Sequence, residues 1–249
     1  MQFALLALNA AGLPEDDPLW KKAQVFLHRC QNVNFSIPLN IEGENFTVTP
    51  FNTQGGYDGG FIYHPGRSLA GGQKSYGSMT GAGIWGLLLC GVKPEDKRVR
   101  VAVNWIKEHY TWDGNPGMSD PTSLLFYYYL SMSKALTMLG IKDINGHDWY
   151  KELYQQLNST QKSEGYWVNT NSWGMENIPE YTTACAILSL QTRAPAPTLK
   201  LSYLTFILKS HALLKVVDPN GRSIGYNYET HIARNELPNA IYSGPFSEP

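Results

Sequence analysis

The chain has 249 residues, with 20 Lys and Arg against 21 Asp and Glu, so its charge is nearly balanced. This length provides a substantial core in one large domain, or in one domain with an appendage. No basic stripe or arginine-rich tail occurs, which argues against a nucleic-acid partner.

Four predicted helices are apolar almost all round, which is typical of helices buried on both sides. They cover Gln2 to Ala11, Tyr76 to Cys90, Leu124 to Leu139 and Tyr181 to Leu190. Between them lie amphipathic helices with apolar residues at helical spacing on one face, over Trp20 to Cys30, Lys97 to Tyr110 and Trp149 to Leu157. The alternation predicts two layers, with the buried helices inside. The cysteines Cys30, Cys90 and Cys185 fall in these helices without paired spacing, which indicates buried thiols.

Glycine-rich turns that carry aromatic residues follow the amphipathic helices. They run from Gln54 to Phe61, from Trp112 to Met118 and from Gly165 to Asn169. Glycine there permits a positive φ, and the aromatic residue is expected to fill the gap between neighbouring hairpins. The first turn is displaced by about the length of Val33 to Thr53. Insertion and turn together occupy residues 33–60, and the insertion is predicted to be a loop or a short hairpin.

The sequence of inner helix, outer helix and turn repeats at a nearly fixed step. Gly91 and Gly140, which end two inner helices, are 49 residues apart (140 − 91), and Leu139 and Leu190 are 51 apart (190 − 139). A period of this length means stacked supersecondary units that bury their apolar faces against each other. The sequence therefore predicts an all-α fold, a two-layer array of helical hairpins over residues 1–192.

The rest of the chain, residues 193–249, is predicted to be a capping or linking extension. It contains a linker over 193–197, one apolar helix from Leu199 to Val217 and a tight turn from Asp218 to Arg222. Because repeat arrays expose apolar faces at their ends, this helix is expected to cover one end. The other end is expected to be covered by a second subunit of a homo-oligomer, or to have lost its cover by truncation inside a repeat. The first apolar run is too short for a signal peptide or a membrane span. Because truncation at the N-terminus is one of these two expectations, the compartment is left open.

Six stretches carry a resemblance to a known family. They are Gly59 to Gly66, Ser75 to Thr80, Trp85 to Gly91, His109 to Asp113, Asn115 to Met118 and His147 to Trp149. In these stretches the chain resembles bacterial prenyltransferase and squalene oxidase repeat proteins, of the α/α toroid superfamily of terpenoid cyclases and protein prenyltransferases. The resemblance spans about Met1 to Gln191 and implies a two-layer α/α toroid. With three hairpins and a fourth inner helix, the ring would be partial, an open crescent.

Motifs that carry chemistry in this superfamily are missing from the chain. Squalene cyclases protonate their substrate with Asp-x-Asp-Asp, whereas Glu15-Asp16-Asp17 lies here in a predicted loop. Protein prenyltransferases bind zinc through Asp, Cys and His, and the matching stretch from Lys74 to Ser78 has neither Asp nor Cys. Neither reaction carries over to this chain, so no metal and no cofactor is expected, and whether the protein is an enzyme stays open.

Ligand-binding candidates lie where the inner helices begin, because toroids of this kind place those helix ends around a central funnel. They are Tyr76, Ser78, Tyr127, Tyr128, Tyr181 and Thr182, joined by Trp173. Unpaired N–H groups at helix starts favour anions or carbonyl oxygens, so the wall suits a ligand with a polar head and an apolar body. The alternative is that Ser and Thr cap the helices while the tyrosines pack the core.

Acid and base candidates lie on turns that face these helix starts, where a rigid scaffold commonly holds catalytic groups. Glu176 and Asp113 are the candidate catalytic carboxylates, and Asp58 and His64 join the ligand-binding set. For Asp58 and Asp113 the alternative is hydrogen bonding to turn amides. For Glu176 it is a favourable interaction with the dipole of the following helix.

The leading expectation is a protein that binds, with or without converting, an isoprenoid or other apolar molecule or lipid in a central cavity. One alternative is a noncatalytic module whose concave face holds a peptide or protein. Another is a glycan-processing enzyme with paired carboxylates and aromatic platforms. A closed apolar pocket favours lipid, a filled centre favours the module, and an open cleft with Trp167, Trp173 and two facing carboxylates favours glycan.

Overall fold

The computed structural model describes residues 1–191 and three short strands of the C-terminal extension, at 215–217, 223–227 and 232–235. The chain divides into two compact units, Met1–Ala194 and Pro195–Pro249. The described residues are mostly helical, as the sequence predicts. They also form three small antiparallel sheets, so the description as all-α is too narrow.

Seven α-helices lie in the described part of the first unit. They are α1 (Gln2–Ala10), α2 (Pro18–Cys30), α3 (Gly77–Leu89), α4 (Lys97–Glu108), α5 (Leu125–Met138), α6 (Trp149–Thr160) and α7 (Pro179–Leu190), with a 3-10 turn at Trp173–Met175 before α7. Each predicted helix up to residue 190 is present, and the bounds differ from the predicted ones by a few residues.

The helices predicted as inner ones form one row, in which α1, α3, α5 and α7 pack side by side in chain order. The middle pair, α3 and α5, is buried on nearly every face. Amphipathic α2 and α4 pack against α3, and α6 packs against α7. In α4 the buried residues recur at helical spacing, as in Val99, Ala102 and Ile106, which explains why the sequence pattern identified this helix.

The inner helices α3 and α5 are capped by side chains that come from distant turns. Asn115 Oδ1 accepts a hydrogen bond from the Ser78 amide at the start of α3, at 2.9 Å. Glu176 Oε1 accepts one from the Tyr127 amide at the start of α5, at 2.8 Å. Each turn therefore fixes the inner helix that precedes it, and these helix starts form part of the wall described below.

The insertion contains an antiparallel hairpin of β1 (Ile37–Ile41) and β2 (Glu44–Val48). Its tight turn has positive φ at both Glu42 and Gly43, as type I′ hairpin turns require. Inward-facing residues of the hairpin pack with Val25 of α2 in a small cluster of their own. A second, shorter hairpin pairs β3 (Asp143–Ile144) with β4 (His147–Asp148). Of the two alternatives for the insertion, the hairpin is confirmed.

The C-terminal unit contains a three-stranded antiparallel sheet of β5 (Lys215–Val217), β6 (Ser223–Asn227) and β7 (Ile232–Asn235). The predicted helix from Leu199 to Val217 is wrong over its last three residues, which pair with β6 as a strand. Two adjacent valines favour a strand, because β-branched side chains fit a pleated surface. The rest of that helix, the linker at 193–197 and the turn at 218–222 lie outside the described residues.

Candidate functional site

A pocket of about 670 Å³ lies in the first unit, where the inner helices begin. Its wall combines the start of α1, the end of α2, one face of α3, the end of the first glycine-rich turn with the segment after it, and the starts of α5 and α7 with the residues before them. The lining residues are Met1, Gln2, Phe26, Leu27, Cys30, Phe61, Ile62, Tyr63, His64, Leu69, Tyr76, Met79, Ala82, Gly83, Leu124, Tyr127, Trp173, Gly174 and Tyr181.

Helix α3 provides one continuous face of this wall. Tyr76 precedes the helix in an extended conformation, and Met79 and Gly83 follow at the helical spacing of three and seven residues. Gly83 lets the Phe61 ring approach closely, because a Cβ built on it would lie 2.4 Å from that ring. The glycine thus makes room for the aromatic side chain that follows the first turn.

The lining is mainly aliphatic and aromatic. Its polar side chains are four phenols, one amide and one imidazole, from Tyr63, Tyr76, Tyr127, Tyr181, Gln2 and His64, and Met1 adds its amino group. No Lys, Arg, Asp or Glu is among the described residues that line it. The imidazole of His64 is exposed and lies 6.2 Å from the Phe26 ring, centroid to centroid.

Burial keeps three phenols and one thiol of this wall neutral. It raises the pKa of the Tyr76 and Tyr127 phenols well above their usual value, and neighbouring tyrosines add to the effect. Burial likewise raises the pKa of Tyr181, with Cys185 as the next cause. The pKa of the Cys30 thiol rises to about 12 for the same reason. The phenols are therefore hydrogen-bond donors at neutral pH, and the thiol is not a nucleophile.

Five of the predicted ligand-binding residues line this pocket: His64, Tyr76, Tyr127, Trp173 and Tyr181. The other four, Ser78, Tyr128, Asp58 and Thr182, do not. Ser78 bonds through its amide and its hydroxyl to Asn115, and the Tyr128 hydroxyl donates to the Thr111 carbonyl at 2.7 Å.

Asp58 is engaged by its own turn and by the repeat that follows. Its carboxylate accepts hydrogen bonds from the Gly60 amide, the Ser75 hydroxyl and the Trp105 indole N–H, at 3.0, 2.7 and 3.1 Å. Thr182, also expected at the helix starts, donates from its hydroxyl to the Trp167 carbonyl. For Ser78, Tyr128, Asp58 and Thr182 the geometry is that of capping and packing.

The candidate catalytic carboxylates lie apart from each other and outside the pocket wall. Glu176 is fully buried, and its oxygens accept from the Tyr127 amide at 2.8 Å and from Asn169 Nδ2 at 2.7 Å. Burial raises its pKa, while these hydrogen bonds act in the opposite direction. This is the geometry of a helix cap. The helix it caps is α5, which precedes Glu176, and not the following α7.

Asp113 lines a second, polar groove of about 520 Å³ beside α6. There the Glu152 carboxylate accepts from the Tyr110 hydroxyl at 2.8 Å and lies 2.7 Å from His147 Nδ1. Asp113 and Glu152 thus share one groove, but Trp173 lines the other pocket. Trp167 is buried, with its indole N–H bonded to the Leu157 carbonyl. The combination expected of a glycan site is not brought together in the described part of the chain.

Sequence reasoning missed the apolar part of the wall, although α3 carried a signal for it. Met79 and Gly83 lie on the same face of α3 as Tyr76, so they could have been assigned to the pocket wall together with Tyr76. Residues such as Phe26, Leu27 and Leu69 could not be assigned. Phe26 and Leu27 have the spacing of any buried amphipathic face, and Leu69 belongs to a segment without periodicity.

Comparisons of the chain with protein-family models, with curated proteins and with solved structures give no match. Among the described residues, no helix has the length and apolar character needed to cross a membrane. Within the same residues, no group of three or more His, Cys, Asp or Glu side chains is arranged to hold a metal ion.

Proposed function

We propose that the first unit binds an isoprenoid or similarly apolar molecule in the pocket at the inner-helix starts. We also propose that its helix row is a partial α/α toroid, an open crescent, as the resemblance implies. The observation that carries the functional proposal is the wall itself, which combines apolar side chains with a few neutral polar groups. Ligand sites are commonly concave and mostly apolar in this way.

The volume of the pocket supports the proposal. Small-molecule sites span roughly 300 to 1,000 Å³, and about 670 Å³ falls in the middle of that range. Binding of an apolar molecule to such a wall is favourable, because apolar surface of both the ligand and the protein is removed from water. Trp173, whose side chain is 47% exposed, lies in the wall and offers an aromatic surface that a ligand would cover.

The proposal is one of binding and includes no catalytic step. Both oxygens of Glu176 are used to fix α5 and the turn before α7. Asp113 lies in the second groove, which is lined by a different set of residues from the pocket. The buried phenols of the pocket wall have raised pKa values, so they orient a ligand through hydrogen bonds without transferring a proton to it at neutral pH.

The test is binding of farnesol, followed by isothermal calorimetry, to the wild type and to Met79→Trp. Met79 lines the pocket, so the larger indole should occupy the ligand volume and weaken binding at least tenfold. The matched control is Met138→Trp, since Met138 is 43% exposed at the end of α5 and lies outside the lining. Equal affinity of all three proteins would contradict the proposal, as would the absence of any binding by the wild type.

A further inference from the structure

Two phenols in the pocket wall have hydrogen-bond donors without an acceptor among the described residues. The Tyr76 side chain is fully buried and its oxygen has no hydrogen-bond partner. The Tyr127 oxygen accepts from Gln2 Nε2, so its own proton remains to be donated. Leaving a buried donor unpaired destabilises a fold, and phenylalanine in the same place would avoid that cost.

Charge interactions locate the Tyr76 hydroxyl at the pocket. The side chains that influence its ionisation are Tyr127, Tyr63 and Cys30, and all three line the pocket. The free donor of Tyr127 lies in the same group, since Tyr127 interacts electrostatically with Tyr63 and Tyr181. The two donors therefore belong to one cluster of phenols in an otherwise apolar wall.

We infer that the ligand of this pocket is a neutral, apolar molecule with one acceptor oxygen, to which Tyr76 and Tyr127 donate hydrogen bonds. A carbonyl, ether, epoxide or alcohol oxygen satisfies that description. A pure hydrocarbon would leave both donors unpaired. A diphosphate would bring several negative charges to a wall whose described lining has no Lys or Arg. The inference rests on the proposed function and narrows the class of ligand.

We expect rotation of a neighbouring exposed side chain, Tyr63, to give a ligand access to the buried donor. The Tyr63 phenol is 56% exposed and is one of the groups that influence Tyr76. Exposed side chains change rotamer on the picosecond to nanosecond timescale, so rotation of Tyr63 does not limit binding.

The experiment compares ligands of one carbon skeleton that differ in a single group. Farnesene has no oxygen, farnesyl methyl ether has only an acceptor, and farnesyl diphosphate is an anion. Dissociation constants are measured by calorimetry for the wild type, for Tyr76→Phe with Tyr127→Phe, and for Tyr154→Phe. Tyr154 is the control, because its ring is 53% exposed on α6 and lies outside the lining.

We expect the wild type to bind the ether about fivefold to tenfold more tightly than farnesene, the size of one net hydrogen bond. The double variant should bind both ligands alike, with an unchanged affinity for farnesene, which also shows that it is folded. Tyr154→Phe should behave as the wild type. Binding of farnesene as tight as that of the ether, or tightest binding of the diphosphate, would overturn the inference and leave the proposed function intact. Binding of none of the three would overturn both.

Discussion

A single carboxylate, Glu176, ties the turn before α7 to the start of α5. Its two oxygens bridge the Tyr127 amide and the Asn169 side chain, and Asn169 Nδ2 also donates to the Thr122 carbonyl at 2.7 Å. A negative charge at a helix N-terminus is favourable, and charge-assisted hydrogen bonds are stronger than neutral ones. Because Tyr127 lines the pocket, the cap also positions one of its phenols.

Glu176→Ala should lower the free energy of unfolding by about 2 to 3 kcal/mol, since it leaves buried donors without acceptors. Urea unfolding followed by circular dichroism measures the change. Glu108→Ala provides the control, because Glu108 is exposed at the end of α4, where a negative charge has no favourable helix dipole. If both variants were as stable as the wild type, the role of Glu176 as a cap would be wrong.

His28, on α2, is buried without a hydrogen-bond partner for either ring nitrogen. Burial, and then the charge of Arg98, lower its pKa from the ordinary 6.5 to about 4. The Phe35 backbone, whose geometry falls short of a hydrogen bond, and the Asp96 carboxylate act in the opposite direction. The imidazole is therefore neutral in the folded protein at physiological pH.

A depressed histidine pKa makes stability depend on pH in a defined window. Between pH 6.5 and about 4 the unfolded chain binds a proton at His28 that the folded chain does not. Above that window His28 does not alter the pH dependence of the free energy of unfolding. As the pH falls through the window, protonation of the unfolded chain lowers the free energy of unfolding by up to about 3 kcal/mol. In His28→Leu this loss should disappear. Unfolding free energies of both proteins at pH 8, 7, 6, 5 and 4 test this, and a constant difference across the series would refute it.

At the scale of elements, α3 and α5 approach so closely that only glycine fits at Gly81. A Cβ built there would lie 2.8 Å from the Met132 backbone nitrogen. At Gly86 of the same helix, the nearest atom to such a Cβ is a Leu27 side-chain carbon at 3.2 Å, which can move. A Cβ at Gly81 would therefore clash with backbone atoms, whereas a Cβ at Gly86 would only crowd a side chain.

Gly81→Ala should destabilise the protein by at least about 2 kcal/mol, because the two helices must move apart. Gly86→Ala should cost far less, since alanine is favoured over glycine in a helix by about 1 kcal/mol, which offsets the displacement of Leu27. Thermal unfolding of both variants measures the contrast. Equal melting temperatures would mean that the close approach of α3 and α5 is not maintained in solution.

The helices were predictable from sequence, because their apolar periodicity and the glycines at their ends are local signals. The caps of α3 and α5 were not, because Asn115 and Glu176 bond to amides 37 and 49 residues away. The same limit applies to the candidate site. Tyr76 and Tyr127 could be placed at helix starts, whereas their unpaired donors depend on which side chains meet in the fold.

At the scale of the whole molecule, the pocket and the seven described helices belong to the unit that ends at Ala194. The buried clusters within the described residues are likewise formed by the first 186 positions. A unit with its own core can fold alone. The sequence analysis expects instead that the segment from Leu199 to Val217 covers one end of the helix array, so that the first unit would depend on it.

A chain that ends at Ala194 should therefore unfold cooperatively and bind farnesol with the affinity of the full chain. Its circular dichroism spectrum should show the helical signal expected of the seven described helices, which all lie before that point. Urea titration and calorimetry on the two proteins measure both properties. Loss of cooperativity or aggregation of the shorter chain would contradict the independence of the unit.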